Sequence, residues 1–171
     1  MRGLGRCALP LRSAALLGAL AVLACDPAFS RPRLTPGPEA PHAEVRGDVA
    51  NVTTRIAEAL RAEGIPVQRV EPADGWLRTA WLDTAGFRPV SSTARGLGAV
   101  RIRGWIDPAS YGASRVTLEG VWRPLADPSL PERELERALP AGHPAAVRIQ
   151  RALERVAGPS VVPAGPPPAP R

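Results

Sequence analysis

Few residues of this chain have the chemistry that catalysis or metal binding requires. The reactive side chains are two cysteines, Cys7 and Cys25, and two histidines, His42 and His143, all far apart in the 171 residues. A serine or cysteine nucleophile needs a nearby base, and a zinc site needs three or four clustered ligands. The spacing therefore predicts no metal site, no cofactor and no nucleophile–base pair.

Carboxylates are the remaining candidates for acid–base chemistry. Asp74, Asp83 and Asp107 stand at the ends of predicted strands, where turn formation explains an aspartate better. Gly96-Leu97-Gly98 lacks the third glycine of a dinucleotide-binding loop and precedes a strand pattern. We therefore predict that the chain is not an enzyme.

Cys25 lies at the end of an export-like segment. Three arginines precede an uncharged run of alanine and leucine, and the first acid is Asp26. A basic start, a short apolar run and small residues before a cleavage point are typical of a signal peptide. The run is shorter than the roughly 20 residues that a spanning helix needs.

The residues before Cys25 resemble the lipobox of bacterial lipoproteins, with Val22 three positions before the cysteine and Ala24 directly before it. The resemblance implies a diacylglyceryl thioether at Cys25, cleavage before it and acylation, commonly with palmitate, of the new amino terminus. Two or more acyl chains anchor a protein stably. An ordinary secreted protein with a stray cysteine is the alternative.

Removal of the segment 1–24 would change the charge and the cysteine count. It takes away three of the 22 basic residues and no acid, so the formal charge falls from +6 to +3. Cys7 would be lost and Cys25 alkylated, which leaves no disulfide. All 22 basic residues are arginine. We attribute this to codon bias in a GC-rich genome.

Composition divides the mature chain into three parts. Residues 25–47 are rich in proline and favour an extended tether that holds the domain away from the bilayer. Residues 48–157 form one foldable domain. Residues 158–171 are a proline- and alanine-rich tail that composition predicts to be disordered.

Two amphipathic helices are predicted at the ends of the domain. The first spans 48–63, with Asp48 as its N-cap and Gly64 as its stop. The last spans 144–157 and stops at Gly158. Between them, residues 129–132 fit the capping box of a short helix, with Ser129 as the cap.

Four strands are predicted, at 65–71, 76–83, 100–107 and 115–123. Asp74-Gly75 favours a turn between the first two. In the second strand, alternation places Trp81 beside Leu77 on one face and Leu82 on the other. The last two strands alternate cleanly and predict a hairpin, in which Glu119 pairs with Arg101 or Arg103. The long loop at 84–98 is either mobile or functional.

These elements predict an α+β fold, with an antiparallel sheet of about four strands and two helices packed on one face. The order is similar to that of the helix-grip domain of the BamC (NlpB-like) lipoproteins, on the strength of the Gly64 stop, the Asp74-Gly75-Trp76-Leu77 turn and the last helix. The resemblance covers residues 48–157. It implies a place in the outer-membrane β-barrel assembly machinery.

The hairpin carries a possible binding surface, made of arginines and one tryptophan that combine charge with stacking. Its residues are Arg101, Arg103, Trp105, Arg115 and Arg123. Export makes an envelope protein or anionic lipid a better partner than nucleic acid, which we exclude. A solvated face with arginine–glutamate pairs and core tryptophans is the simpler alternative.

Two functions follow from these observations. The first is a non-catalytic envelope lipoprotein, anchored by lipid on the extracytoplasmic side, that serves as a scaffold or accessory subunit of an envelope complex. The second is a periplasmic module that binds lipid or a small ligand between sheet and helices. Asp26 resembles an inner-membrane retention signal, whereas the BamC-like order implies the outer membrane. The membrane therefore stays unassigned.

Overall fold

A computed structural model describes residues 31–91, 98–125, 127 and 129–158 of the chain. Within them, strands and helices follow one another in a mixed α+β order. The elements are β1 (His42–Arg46), α1 (Val49–Ala62), β2 (Val67–Glu71), β3 (Trp76–Thr79), β4 (Leu82–Asp83), β5 (Ala99–Pro108), β6 (Ala113–Arg123), α2 (Glu132–Leu135), β7 (Arg137–Ala138) and α3 (Pro144–Ala157).

One antiparallel sheet contains all seven described strands. Its main path is β1-β6-β5-β3-β2, while β4 pairs with β5 and β7 pairs with β6. The prediction of about four strands was therefore too small. The added strands are β1 and β7, and the predicted strand 76–83 is divided into β3 and β4. Strand β1 lies within residues 25–47, for which we expected an extended tether.

Helices α1 and α3 cover one face of the sheet, which we call the helix face. The side chain of Asp48 accepts a hydrogen bond from the Asn51 N–H and caps α1 as predicted. Leucine and isoleucine from both helices and from β3, β5 and β6 share one core. Leu60, Leu77, Ile102, Leu118 and Leu153 are all completely buried there.

The predicted hairpin is confirmed as β5 and β6, which pair over ten residues. The β2–β3 turn contains Gly75 at φ +60°. A Cβ atom on Gly75 would lie 2.1 Å from the carbonyl oxygen of Ile106, so the turn packs directly against the end of β5. Only glycine satisfies both the dihedral angle and the close contact.

A β-bulge separates β3 from β4 and reverses the predicted faces of Trp81 and Leu82. Arg78 pairs with Arg103 and Leu82 with Val100, so four steps along one strand match three along β5. The extra residue turns the following side chains over. The Ile102 N–H donates to the hydroxyl of Thr79 at this point. Leu82 consequently enters the main core, while Trp81 belongs to the opposite face.

The region after β6 also differs in detail from the prediction. A short helix, α2, is present, but its N-cap is Pro131 and no side chain caps it. Ser129 instead hydrogen-bonds the carboxylate of Asp127, so the predicted capping box is wrong. The last helix, α3, agrees with its predicted bounds.

Two of the segments outside the helices and strands are held against the domain. In the loop 84–98, whose residues 92–97 lie outside the described part, the Phe87 ring is buried in the main core. Residues 31–41, here called the N-terminal segment, are linked to the sheet through Arg31, Gly37 and Pro41. No described helix is long and apolar enough to cross a membrane.

Candidate functional site

The face opposite the helices, which we call the second face, is built from tryptophan and arginine. Trp76 and Trp105 pack edge to face, with ring centroids 5.1 Å apart. Both are almost completely buried. This arrangement is the favourable one for two aromatic rings, because the positive edge of one meets the negative face of the other.

Arg103 is the centre of a buried ionic triad on this face. Its Nη1 lies 3.3 Å from Oε2 of Glu119, the residue opposite it on β6. The same atom lies 3.0 Å from Oε2 of Glu136, and Nη2 also bonds this carboxylate. Burial lowers the pKa of Arg103, but hydrogen bonds and the charges of both glutamates outweigh it, so the net pKa is raised. The predicted pairing of Glu119 is thus found at Arg103.

Two guanidinium groups lie over the ring of Trp81. The Cζ atoms of Arg101 and Arg123 are 4.3 and 4.5 Å from its ring centroid, a cation–π geometry. The indole N–H donates to Glu132, whose other oxygen accepts from Arg101 at 2.8 Å. Burial raises the pKa of Glu132, but these two hydrogen bonds and the arginine charges lower it overall.

The five residues predicted as a binding surface therefore do not form an exposed one. Trp105, Arg103 and Arg123 are 1, 5 and 2% exposed, and the side chain of Arg101 is 12% exposed. Arg115 alone is open, at 57%, and it pairs with Glu44 at 3.2 Å. Their role in this structure is to build the second face.

An apolar groove opens at the edge of the sheet and was not predicted at this place. Strand β1 pairs with β6 as far as Thr117, and β7 pairs with β6 from Val121 onward. The stretch between them is bordered by the N-terminal segment on one side and by α3 on the other. The resulting groove has a volume of about 850 Å³, within the range of small-ligand sites.

The floor of the groove depends on Gly120. A Cβ atom there would lie 2.7 Å from Cδ2 of Leu139 and 3.0 Å from Cδ1 of Ile149. The absence of a side chain therefore lets both apolar residues approach β6. The other lining residues are small or apolar side chains, together with charged and mostly exposed side chains that we call the rim: Glu39, Ala40, Pro41, Arg133, Arg137, Ala138, Ala146, Val147 and Arg151.

The charged rim carries both signs. Glu119 and Glu136 also border the groove, but Arg103 binds them. Arg133 and Arg151 have no acidic partner among the described residues. An apolar floor with cations and anions at its rim suits an amphipathic ligand or a peptide segment better than a simple ion.

His143, Asp83 and Asp107 have structural roles. Nδ1 of His143 accepts from the Ala145 N–H and caps α3. The Asp83 carboxylate accepts backbone N–H bonds, chiefly from Gly86, which lower its pKa. Asp107 pairs with Arg31. In the part of the chain that the structure describes, no three histidine, cysteine or acidic residues are grouped so that they could hold a metal ion. Cys25 lies outside the described residues.

Comparison with models of known protein families and with curated proteins finds no match to this chain in either set.

Proposed function

We propose that the protein is a lipid-anchored envelope lipoprotein whose domain acts as a non-catalytic scaffold or accessory subunit of an envelope complex. The observation that carries the proposal is the sequence Val22-Leu23-Ala24-Cys25 at the end of an export-like segment. The BamC-like order of elements makes outer-membrane assembly one candidate process.

Several acidic side chains and His143 are already bonded to other groups of the domain, which supports a binding role over a catalytic one. Glu119 and Glu136 are held by Arg103, and Glu132 by Arg101 and Trp81. His143 uses its free lone pair for a helix cap. Carboxylates and imidazoles engaged in this way build the fold, because a general base needs its lone pair free for substrate.

Growth with a clickable fatty acid, followed by membrane fractionation, tests the anchor. The wild-type chain should carry the label and sediment with membranes, and Cys25→Ser should lose both properties. The matched control is Cys7→Ser, which removes the other cysteine but leaves the acceptor thiol in place. Equal membrane retention of all three chains, with no label on any, would refute the lipid anchor.

Affinity purification tests the scaffold role. Crosslinking in intact cells and mild detergent extraction should recover the protein together with envelope proteins in fixed proportions. Recovery of the protein alone under both conditions would contradict it.

A second candidate function is the binding of a lipid or small amphipathic ligand, and the groove favours it. Native mass spectrometry of the intact protein should then show a co-purified molecule. Ala146→Phe, which fills the groove, should remove that molecule. Ala62→Phe, at the exposed end of α1, is the matched control. Equal masses for the wild type and both variants, without an adduct, would exclude this candidate.

A further inference from the structure

We propose that the tip of the β5–β6 hairpin, residues 108–113, contacts the bilayer surface and places the ring of Tyr111 among the lipid headgroups. The inference rests on the lipid anchor of the proposed function. The partner that the hairpin tip contacts is a membrane. Two features of the described structure support the inference: an exposed aromatic ring and the path of the N-terminal segment.

Tyr111 is the most exposed large apolar residue in the described part of the chain. Its relative accessibility is 107%, against 55% for Leu125, 44% for Leu130 and 41% for Val147. A ring that is apolar on its faces and carries a hydroxyl group is the side-chain type that concentrates at membrane interfaces.

The backbone beneath Tyr111 is fixed, so the ring is presented by a rigid support. The Ala109 N–H donates to Ala113 O, and the Ala113 N–H donates to Ser110 O. The tip is also tied to the end of β1, since the Gly47 N–H donates to the carbonyl of Gly112. Little conformational entropy is therefore lost when the tip meets a surface.

The N-terminal segment brings the anchor to this same end of the molecule. Both terminal nitrogens of Arg31 bond the carboxylate of Asp107, at 2.7 and 3.1 Å. Cys25 precedes Arg31 by six residues, and a chain of that length spans at most about 20 Å. Asp107 lies next to the tip in sequence. The lipid on Cys25 and the ring of Tyr111 are consequently confined to one end of the domain.

The charges near the tip allow this contact. Residues 108–113 contain no charged side chain. Of the nearby acids, Asp107 and Glu44 are paired with Arg31 and Arg115, and Asp48 accepts a hydrogen bond from the Asn51 N–H as the cap of α1. Arg46, which pairs with Ala113 across the strands, is exposed and has no acidic partner among the described residues. The tip thus combines an uncharged apex with available positive charge, which suits phospholipid headgroups.

Depth-dependent fluorescence tests the proposal. Once Cys7 is removed and Cys25 is lipidated, Tyr111→Cys introduces a single free thiol for an environment-sensitive dye. The labelled full-length lipoprotein is reconstituted into vesicles of phosphatidylethanolamine and phosphatidylglycerol. We expect a blue shift of the dye on reconstitution and strong quenching by a lipid that carries its quencher near the headgroup.

Leu125→Cys is the matched control, because Leu125 is exposed beyond the opposite end of β6. Its dye should show no blue shift and weak quenching. Equal spectra and equal quenching at the two positions, on chains whose mass includes the lipid, would overturn the inference while leaving the anchor intact. Chains that carry no lipid and bind two dye molecules would refute the anchor and the inference together.

A second pair of variants tests the link between Arg31 and the tip. Arg31→Ala releases the chain as far as its next fixed point, the Gly37 N–H that donates to Glu119. The anchor then gains several residues of reach, and the quenching at position 111 should fall. Arg33→Ala, two residues away and exposed, should leave it unchanged. Equal quenching in both variants would overturn the argument that the N-terminal segment sets the orientation.

Discussion

The two faces of the sheet bury their side chains by different physical means: aliphatic packing on the helix face, and tryptophans with paired arginines on the second face. On the helix face, aliphatic side chains such as Ile102 and Leu118 meet leucine and isoleucine from α1 and α3. On the second face, Trp76, Trp81 and Trp105 are as deeply buried, but their neighbours include arginines bound by glutamates. Burial alone therefore does not identify an apolar core.

The difference concerns how each face is stabilised. Aliphatic burial contributes about 25 cal/mol for each Å² removed from water and is not directional. A buried charge is tolerated only with a well-placed partner, because its desolvation costs several kcal/mol. The second face should therefore depend strongly on its individual ionic partners, whereas the helix face should depend on volume.

The largest effect is expected from Arg103→Met, which leaves Glu119 and Glu136 without their cation. The glutamate side chains are only 16 and 9% exposed, so the variant should lose about 3–5 kcal/mol of unfolding free energy. Urea denaturation measures the loss. The triple variant Arg103→Met, Glu119→Gln and Glu136→Gln should recover most of it. A single variant within about 1 kcal/mol of the wild type would show that the triad behaves like a surface pair.

Leu118→Ala tests the helix face. Leu118 is completely buried, and truncation to alanine in such a core costs about 3 kcal/mol. The loss should be the same in low and high salt, because no charge is involved. Val147→Ala on α3, where Val147 is 41% exposed, should cost less than about 1 kcal/mol. A strong salt dependence of the Leu118 variant would contradict the distinction between the faces.

Arg101→Lys tests the stacking on Trp81. The charge is retained, but the planar contact 4.3 Å from the ring and the geometry of the Glu132 pair are lost. We expect a loss of about 1 kcal/mol and a change in tryptophan fluorescence. Arg115→Lys, in an exposed pair with Glu44, should leave both unchanged. If the two variants behave alike, stacking adds nothing to the second face.

The smallest expected effect is that the two faces lose stability in different pH ranges. Burial lowers the pKa of His143, the cap of α3, so the unfolded chain takes up its proton first and stability falls as pH drops below the ordinary value of 6.5. The pKa of Glu132 is lowered by its hydrogen bonds despite burial, so its contribution is complete above 4.5 and is lost as pH falls below that.

Thermal unfolding across this pH range measures both steps. His143→Asn retains a capping acceptor but does not titrate, so it should remove only the upper step. Glu132→Gln should remove only the lower step. Loss of both steps in either variant would show that the two faces do not titrate independently.

The helices and the long hairpin could be predicted because their information is local. Asp48 and Gly64 mark the ends of α1, and the alternation in 100–107 and 115–123 shows which residues share a face. Strand β1 was not predicted because only Ala43 and Val45 alternate within a proline-rich stretch. Strand β7 has two residues and forms by pairing with the distant β6.

The residues of the second face could be predicted from the sequence, but their burial could not. Alternation places Arg101, Arg103 and Trp105 on one face, but it does not show what covers that face. The covering acids are Glu132, the first residue of α2, and Glu136, its C-cap, and both follow the end of the hairpin in the chain. The four-residue spacing of Glu132 and Glu136, which is that of neighbours on one face of a helix, was the sequence signal available for this pair of acids. The groove arises between segments distant in sequence, which no local pattern reports.

The bulge between β3 and β4 has a consequence for which length changes the chain can tolerate. Insertions and deletions in surface turns usually alter only the turn. Here three residues separate Arg78 from Leu82, whereas two separate Arg103 from Val100, and the bulge takes up the difference. Deletion of Ala80 would leave two residues on each strand, so the strands could pair without a bulge, with Trp81 opposite Arg101 and Leu82 opposite Val100 on the faces that they now occupy. Divergent sequences of this fold should therefore have either three residues between the positions of Arg78 and Leu82 with a bulge, or two residues without one.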